Sequence, residues 1–262
     1  MRRRFELTDF EWSVIEPLLP NKPRGVPRVD DRRVINGILW RFRTGSPWAD
    51  IPERYGPHTT CYNRFVRWRK AGVWDRLLTA VSHAFDGELV MIDSSSIRVH
   101  QHGATFKKGD PNRCMGRSRG GLTTKIHALV DGRGLPIQLH LSEGQASDCK
   151  QADPLLGAVP EGSTFLADKA YDSDAIRARI TAQGGFANIP AKRNRRQGFV
   201  FSTFLYRYRN LIERFFGKLK HARGLATRYD KRADNFLAAI KLFSARRNRV
   251  LKATLREAAA GC

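Results

Sequence analysis

Residues 88–100 read ELVMIDSSSIRVH, and the character of the chain changes at this stretch. Upstream, apolar residues recur at helical spacing, whereas the short apolar run at residues 89–92 predicts a β-strand. An acid, Asp93, follows the run directly. Because an ionised carboxylate inside a buried strand is costly, we expect the strand to end here and Asp93 to open into a crevice at its carboxyl end.

A second apolar run ends in the same way. The stretch STFLAD, residues 163–168, predicts a buried strand at residues 165–167 with Asp168 directly after it. Between the two acids, alternating runs joined by DGRG at residues 131–134 predict a β-hairpin. From residue 88 onward the predicted order is β-β-β-α-β-α-β-α-α, which indicates an α/β fold around a mixed sheet.

A third acid lies in LYRYRNLIERFFGKLK, residues 205–220, which predicts a helix. At about 100° per residue, four side chains fall within roughly a 60° arc, apart from an apolar face: Tyr206, Arg209, Glu213 and Lys220. Glu213 is the one acid in this stretch. It is either the ion-pair partner of Arg209, four residues earlier, or a metal ligand beside cations that hold phosphates.

The two acids at predicted strand ends favour the metal ligand. Three carboxylates brought together repel one another unless cations neutralise them, and hard oxygen ligands suit Mg²⁺ or, as a substitute, Mn²⁺. Two such ions activate a water or a 3′-hydroxyl and stabilise the leaving oxygen in phosphodiester displacement. We therefore expect Asp93, Asp168 and Glu213 to be catalytic residues and ligands of two metal ions.

The first 85 residues predict an all-α domain. Thr8 with Glu11 three places on is a capping-box pattern, and Pro20 is expected to end that first helix. A second helix should end at Gly45, and two more should meet at Gly72. Cations load the third helix, which is compatible with a helix-turn-helix on DNA, although many small helical bundles share the pattern.

The net charge of +22 is unevenly distributed. Residues 1–85 carry +7, residues 86–189 are neutral, and residues 190–262 carry +15. Such an excess of cations indicates a polyanionic partner. A solubilising tail is the alternative, but these cations alternate with Phe, Tyr and Leu at helical spacing.

Other features narrow the class of protein. No apolar run reaches 18 residues, and the charged start MRRRF is followed by ELTDFEW, so we expect neither a membrane span nor a signal peptide. The four cysteines form no C-x-x-C pair, which favours reduced thiols in a cytoplasm over a zinc ribbon or a disulfide framework.

The third acid also belongs to a longer motif. The spacing Tyr206-x2-Arg209-x3-Glu213-x6-Lys220 resembles the Y-R-E-K signature of bacterial insertion-sequence transposases. ADKAYDSD, residues 167–174, is similar to the second-acid motif of that family, with Ala170 where Gly is usual. Three further stretches resemble the group related to insertion sequence five: MIDSSSIRVHQHG, GRSRGGLTTKIHALVDGRGLP and SEGQASD. The resemblance covers nearly the whole chain.

The resemblance implies a ribonuclease H-like core with a DDE triad at Asp93, Asp168 and Glu213. It gives a helical domain over 1–85 that binds DNA ends, a catalytic domain over 86–252 and a tail over 253–262. Some relatives insert a large β domain between the second and third acids, but the 44 residues available here are too few. The contacts made by that insertion are expected instead from a basic loop: Lys192, Arg193, Arg195 and Arg196.

The implied function is that of a transposase. It binds the inverted-repeat ends of a mobile DNA element, cleaves them by metal-dependent hydrolysis and joins the 3′-hydroxyl to target DNA. Arg209 and Lys220 would hold phosphates, and Tyr206 would pack or hydrogen-bond along the strand. The expected partner is double-stranded DNA, bound by a homodimer or larger assembly in the bacterial cytoplasm, associated with the nucleoid. Two alternatives stay open: a non-enzymatic DNA-binding derivative and a structure-selective nuclease on the same core.

Overall fold

The computed structural model describes residues 6–20, 30–82, 88–105, 113–196 and 198–247. Within these ranges the chain forms two compact units, one of residues before 84 together with those from 219 onward, the other of residues 84–218. The pattern of the sequence did not indicate that residues from 219 onward group with the N-terminal helices. The predicted boundary at 85/86 and the tail over 253–262 lie outside the described residues and stay predictions.

The elements are as follows in chain order. The α-helices are α1 (Asp9–Ile15), α2 (Asp31–Thr44), α3 (His58–Lys70), α4 (Val73–Ser82), α5 (Gln101–Ala104), α6 (Asp153–Leu156), α7 (Asp174–Ala182), α8 (Thr203–Tyr206), α9 (Asn210–Lys220), α10 (Arg223–Ala226) and α11 (Ala233–Arg247). The strands are β1 (Leu89–Val99), β2 (Gly116–Ser118), β3 (Gly121–Asp131), β4 (Pro136–Glu143), β5 (Thr164–Leu166), β6 (Phe186–Asn188) and β7 (Thr227–Arg228). Four short elements that the sequence did not predict are α5, β2, α10 and β7.

Local signals account for the first helices. Thr8 and Glu11 form the predicted capping box, each side chain bonding the backbone N–H of the other. The prediction that Pro20 ends this helix is wrong: α1 ends at Ile15, and a 3₁₀ turn, Glu16–Leu18, follows. Pro17 accounts for the break, since it has no N–H to donate and its ring opposes continuation of the α-helix.

The helical unit is organised around aromatic side chains. Phe42, Phe65, Trp68 and Trp74 are fully buried, and the two indole rings meet edge to face at 5.7 Å. As predicted, Gly45 ends α2, with φ of 78° that an L side chain rarely adopts.

Two of the cations of α3 form ion pairs within the helical unit. Arg64 forms an ion pair with Asp31, and Arg69 forms one with Asp234. Arg67 and Lys70 are exposed.

The second unit is built on a mixed sheet in which β3, β1, β5 and β6 are successive neighbours. β1 pairs antiparallel with β3, and β3 pairs antiparallel with both β2 and β4. β1 and β5 are parallel, and so are β5 and β6. An antiparallel meander joined to parallel strands is the ribonuclease H-like arrangement, which confirms the predicted fold class.

One face of the sheet is covered by a continuous apolar cluster. Side chains from β1 and β5 pack there against α6 and α7, including Val90, Ile92, Phe165 and Ile180. This burial holds the parallel pair β1 and β5 in place, at roughly 25 cal/mol for each Å² of apolar surface removed from water.

The turn between β3 and β4 confirms the predicted hairpin. Asp131 organises it, since its carboxylate accepts the backbone N–H groups of Arg133 and Leu135 at 2.9 and 2.7 Å. Gly134 adopts φ of 74°, and a Cβ built there would lie 2.9 Å from the carbonyl oxygen of Leu211. The tip of the hairpin therefore lies directly against the first turn of α9.

In the part of the chain that the structure describes, no helix combines the length and the apolar character needed to cross a membrane.

Candidate active site

The register of β1 and β5 places two acids at equivalent positions. Met91 pairs with Leu166, so Asp93 and Asp168 each lie two residues further on and, by strand alternation, on the same face. Asp168 lies two residues after the last residue of β5, in an extended conformation, and its carboxylate accepts a hydrogen bond from the N–H of Ala170 at 2.8 Å.

The prediction that the first strand ends at Asp93 is wrong. β1 continues to Val99, with Asp93 paired to Ala128 of β3. The long antiparallel ladder with β3 extends β1, which no local pattern in residues 88–100 could indicate. The carboxylate is nevertheless not sealed in the core, because β5 accompanies β1 only as far as Met91; its side chain keeps 17% of its surface exposed.

Arg209 joins the first and third predicted acids. Its Nη1 donates to Asp93 Oδ2 at 2.7 Å, and its Nη2 donates to Glu213 Oε1 at 2.8 Å. Glu213 is 57% exposed, whereas Arg209 is 17% exposed. The structure thus contains the ion pair that one interpretation of Glu213 predicted, and the same guanidinium also holds Asp93. The metal-ligand interpretation stays a prediction.

The electrostatics of Asp93 reflect its surroundings. Burial raises the pKa of Asp93 above its ordinary value, the Arg209 cation and the Ser94 N–H counteract the rise, and the charge of Asp168 adds to it. Burial opposes the charge on Arg209, but its net pKa is raised, with the Asp93 carboxylate as the main cause. The charge of Asp93 therefore interacts with the charges of both Asp168 and Arg209, and the three groups form one electrostatic cluster.

The predicted helix over residues 205–220 is not continuous. It comprises α8, a 3₁₀ turn at Arg207–Arg209, and α9. Residues three apart eclipse in a 3₁₀ turn, which brings Arg209 beneath Tyr206, with its guanidinium carbon 5.8 Å from the ring centre. The ring of Tyr206 also meets Phe201 edge on at 5.3 Å.

The end of α9 carries an exposed cation and a glycine. Lys220 is exposed in the last turn of the helix. A Cβ built at Gly217 would meet no heavy atom of the described residues within 4 Å.

The basic loop is anchored by a buried acid, Asp172. This residue lies just before α7 but does not cap it, since Ser173 is the N-cap. The side chain of Asp172 is completely buried. Its carboxylate accepts three hydrogen bonds: from Arg177 Nε at 2.9 Å, from Arg195 Nε at 2.7 Å and from the backbone N–H of Lys192 at 2.8 Å. Burial works against its ionisation, but these hydrogen bonds hold the pKa of Asp172 below its usual range.

The contacts with Asp172 separate the four cations of the loop into two that are anchored and two that are exposed. Arg195 also bonds Asp174 and lies over the ring of Phe199, and the Nζ of Lys192 donates to the Asp172 carbonyl oxygen. Arg193 and Arg196 are exposed. Sequence reasoning missed the anchoring role of Asp172, because no spacing pattern links residue 172 to residues 192–196.

The three predicted acids suit a divalent cation by their chemistry. Asp93, Asp168 and Glu213 offer only carboxylate oxygens, the ligands that hard cations such as Mg²⁺ prefer. Among the described residues no three His, Cys, Asp or Glu side chains are gathered around one point as a ready-made metal site. The positive charge between Asp93 and Glu213 is supplied here by Arg209.

A ribonuclease H-like sheet with acids at its central parallel strands is typical of enzymes that cleave and join nucleic-acid phosphodiesters. Comparison with known proteins identifies the family. The model described as "Transposase DDE domain" matches residues 84–246, and the model described as "Putative transposase of IS4/5 family" matches residues 7–78. The chain belongs to the DDE transposases of insertion sequences.

Individual relatives agree with this assignment. A Brucella ovis protein named as a transposase for insertion sequence element IS6501 is 37% identical over 122 residues, which cover 46% of this chain and 94% of the relative. The Neisseria meningitidis transposase for IS1106 is 31% identical over 108 residues, covering 36% of this chain and 35% of that protein.

A solved structure was also matched, the Mos1 transposase paired-end complex with left transposon end. It is 13% identical and covers 76% of this chain and 80% of its own, with a TM-score of 0.27. A TM-score this low does not establish a shared arrangement of elements.

As a member of this family, the protein is a transposase, an enzyme with nuclease and strand-transfer activity that uses a divalent metal.

Proposed function

We propose that Asp93, Asp168 and Glu213 are the catalytic carboxylates of this transposase and that they hold two Mg²⁺ ions, replaceable by Mn²⁺. The observation that carries the proposal is the convergence of Asp93 and Glu213 on Arg209, with Asp168 at the equivalent position of the neighbouring strand. When bound, such ions activate the attacking water or 3′-hydroxyl and neutralise the leaving oxygen.

The residues of the chain act by positioning. The parallel pairing of β1 and β5 fixes Asp93 relative to Asp168, and α9 presents Glu213. Arg209 holds Asp93 and Glu213 in place, and its planar guanidinium fork is also suited to donate to phosphate oxygens. Tyr206 limits the movement of Arg209 by packing over it.

We further propose that the substrate is double-stranded DNA carrying the inverted-repeat ends of the element, later joined to target DNA. The exposed Arg193, Arg196 and Lys220 are suited to phosphate contact. The exposed Arg67 and Lys70 on α3 support end binding by the N-terminal helices. A homodimer or larger assembly would bring two ends together.

The variant Glu213→Gln tests the catalytic assignment. It keeps shape and removes charge at a side chain that is 57% exposed, so folding should be preserved. We expect nicking of end-bearing DNA to fall by more than about 100-fold, since metal catalysis is worth several kcal/mol and each tenfold corresponds to about 1.4 kcal/mol. DNA affinity, measured by anisotropy, should change less than about threefold, since tenfold in affinity is about 1.4 kcal/mol.

Glu161→Gln is the matched control. Glu161 is exposed and precedes the amino end of β5, away from the carboxyl end that carries Asp168, so its nicking should equal that of the native protein. Nicking by Glu213→Gln at the native rate would overturn the assignment of Glu213.

A strand-transfer assay with precut ends separates the remaining alternatives. A transposase joins the 3′-hydroxyl of such ends to target DNA and prefers one end sequence. A structure-selective nuclease cuts without joining, and a DNA-binding derivative does neither.

A further inference from the structure

A second polar cluster lies on the face of the sheet opposite Asp93. Ser94 points away from the Asp93 face because successive side chains of a strand alternate. It pairs across the ladder with His127, and Lys125 lies two residues before His127 on the same face. The loop after β4 brings Asp148 to these side chains.

Asp148 is the acceptor at the centre of this cluster. Its Oδ1 accepts the hydroxyl of Ser94 at 2.7 Å and lies 3.1 Å from Lys125 Nζ. The same Nζ donates to the carbonyl oxygen of Ala146 at 2.7 Å, so Lys125 holds the loop at two points. The side chains of Lys125 and Asp148 are only 13% and 23% exposed.

Lys125 is the cation that balances Asp148. His127 Nδ1 also faces Asp148, at 3.9 Å, but burial lowers the pKa of His127 to about 4, so the ring is neutral at physiological pH. Its Nε2 lies 2.7 Å from Ser142 Oγ, and that hydroxyl in turn donates to the Glu143 carbonyl oxygen.

Ser94 connects this cluster to the candidate active site. Its hydroxyl donates to Asp148, while its backbone N–H donates to Asp93 Oδ1 at 2.8 Å. One residue is thus bonded to an acid on each face of the sheet. Movement of Ser94 would change the direction of the N–H that orients the Asp93 carboxylate.

We propose that Asp148 is a positioning residue for the DNA-cleavage step, acting on Asp93 through Ser94. Lys125 keeps the acceptor in place, Asp148 fixes the Ser94 hydroxyl, and the Ser94 N–H then orients one Asp93 oxygen. This inference rests on the proposed role of Asp93. Outer hydrogen bonds to metal-binding carboxylates typically contribute about 10- to 100-fold in metal affinity or activity.

The test compares Asp148→Ala and Ser94→Ala with the control Asp153→Asn, a nearby acid that is 78% exposed. We expect both alanine variants to lower kcat for end cleavage and to weaken Mn²⁺ binding, measured by calorimetry, each by roughly tenfold. The DNA dissociation constant should stay within about twofold, because the cluster faces away from the Asp93 side of the sheet. The double variant should be no worse than either single one, since both remove the same link.

Rescue distinguishes positioning from a purely structural role. Ser94→Thr restores the hydroxyl in a residue that suits a strand, and it should recover Mn²⁺ affinity relative to Ser94→Ala. Melting temperatures identify variants that merely unfold. Native metal affinity and kcat in Ser94→Ala, or equal losses in Ser94→Thr and Ser94→Ala, would overturn the inference.

Asp93→Asn keeps the two proposals separate. If it cleaves normally, the assignment of Asp93 fails. If it is inactive while the Asp148 and Ser94 variants behave as the native protein does, the inference about Asp148 alone fails.

Discussion

At the scale of single residues, Arg209 contacts both the first and the third predicted acid. A glutamate four residues after an arginine on a helix is usually a surface ion pair, worth a few tenths of a kcal/mol. The structure contains that pair, but the same guanidinium also holds Asp93, 116 residues earlier in the chain. Sequence spacing could suggest the first contact only, because the second joins Arg209 to a strand far away in the chain and depends on tertiary packing.

The buried His127 is expected to make the stability of the protein depend on pH. Its ring is fully buried, and burial lowers its pKa from 6.5 to about 4, with Lys125 and His140 adding to the effect and Asp148 opposing it. The unfolded chain therefore binds more protons than the folded one between these values. We expect the free energy of unfolding to decrease as the pH falls from about 6.5 towards 4.

Urea unfolding of the native protein and His127→Gln across this pH range measures the effect. The variant lacks the titrating ring, so the difference in unfolding free energy between the two proteins should shrink in acid. His58→Gln replaces an exposed histidine and serves as the control. A difference that does not change with pH would show that His127 does not titrate in this window.

At the scale of elements, local and long-range causes separate clearly. The capping box of α1, the glycine end of α2 and the DGRG hairpin were predicted because each depends on neighbouring residues. The extension of β1 past Asp93 was not, because the ladder with β3 sets it. Likewise, the 3₁₀ turn that interrupts the helix over residues 205–220 was not predicted, because the three residues of the turn include neither Pro nor Gly.

The contact between the β3–β4 hairpin and α9 gives a prediction at this scale. Gly134→Ala places a Cβ 2.9 Å from the Leu211 carbonyl oxygen, in a backbone conformation with φ of 74°. Gly121→Ala has a similar φ of 92° but meets open space, so it isolates the conformational cost of about 1–2 kcal/mol.

We expect Gly134→Ala to lose about 1–3 kcal/mol more stability than Gly121→Ala, the usual cost of overpacking, in urea unfolding. It should also reduce DNA cleavage, because relief of the clash displaces the helix that carries Glu213. Equal stabilities of the two variants would mean that α9 yields freely at this contact.

At the scale of the whole molecule, the net charge of +22 leads to a prediction about salt. Each phosphate neutralised on duplex DNA contributes a slope of about −0.9 to the dependence of log affinity on log salt. We expect the double variant Arg193→Ala and Arg196→Ala to make this slope shallower by up to about 1.8, since both side chains are exposed.

Lys150→Ala is the matched control, since Lys150 is equally exposed but belongs to the neutral middle of the sequence. Its salt slope should equal that of the native protein. An unchanged slope in the double variant would remove the basic loop from the DNA-binding surface.

The larger organisation was only partly accessible to sequence patterns. The change from helical to strand periodicity near residue 88 marks the start of the sheet, because a period of two differs visibly from a period of 3.6. The grouping of residues from 219 onward with the N-terminal helices carries no such mark. It depends on which apolar surfaces complement each other, as in the packing of α11 against α4.

The contact between Leu211 and the hairpin tip also bears on the order in which parts of the protein fold during synthesis. A ribosome releases the β3–β4 turn well before it has synthesised α9, and a hairpin forms within microseconds. The hairpin that supports the Glu213 helix is therefore synthesised before the helix itself. A nascent chain truncated before residue 205 should already hold the turn, awaiting the segment that completes the enzyme.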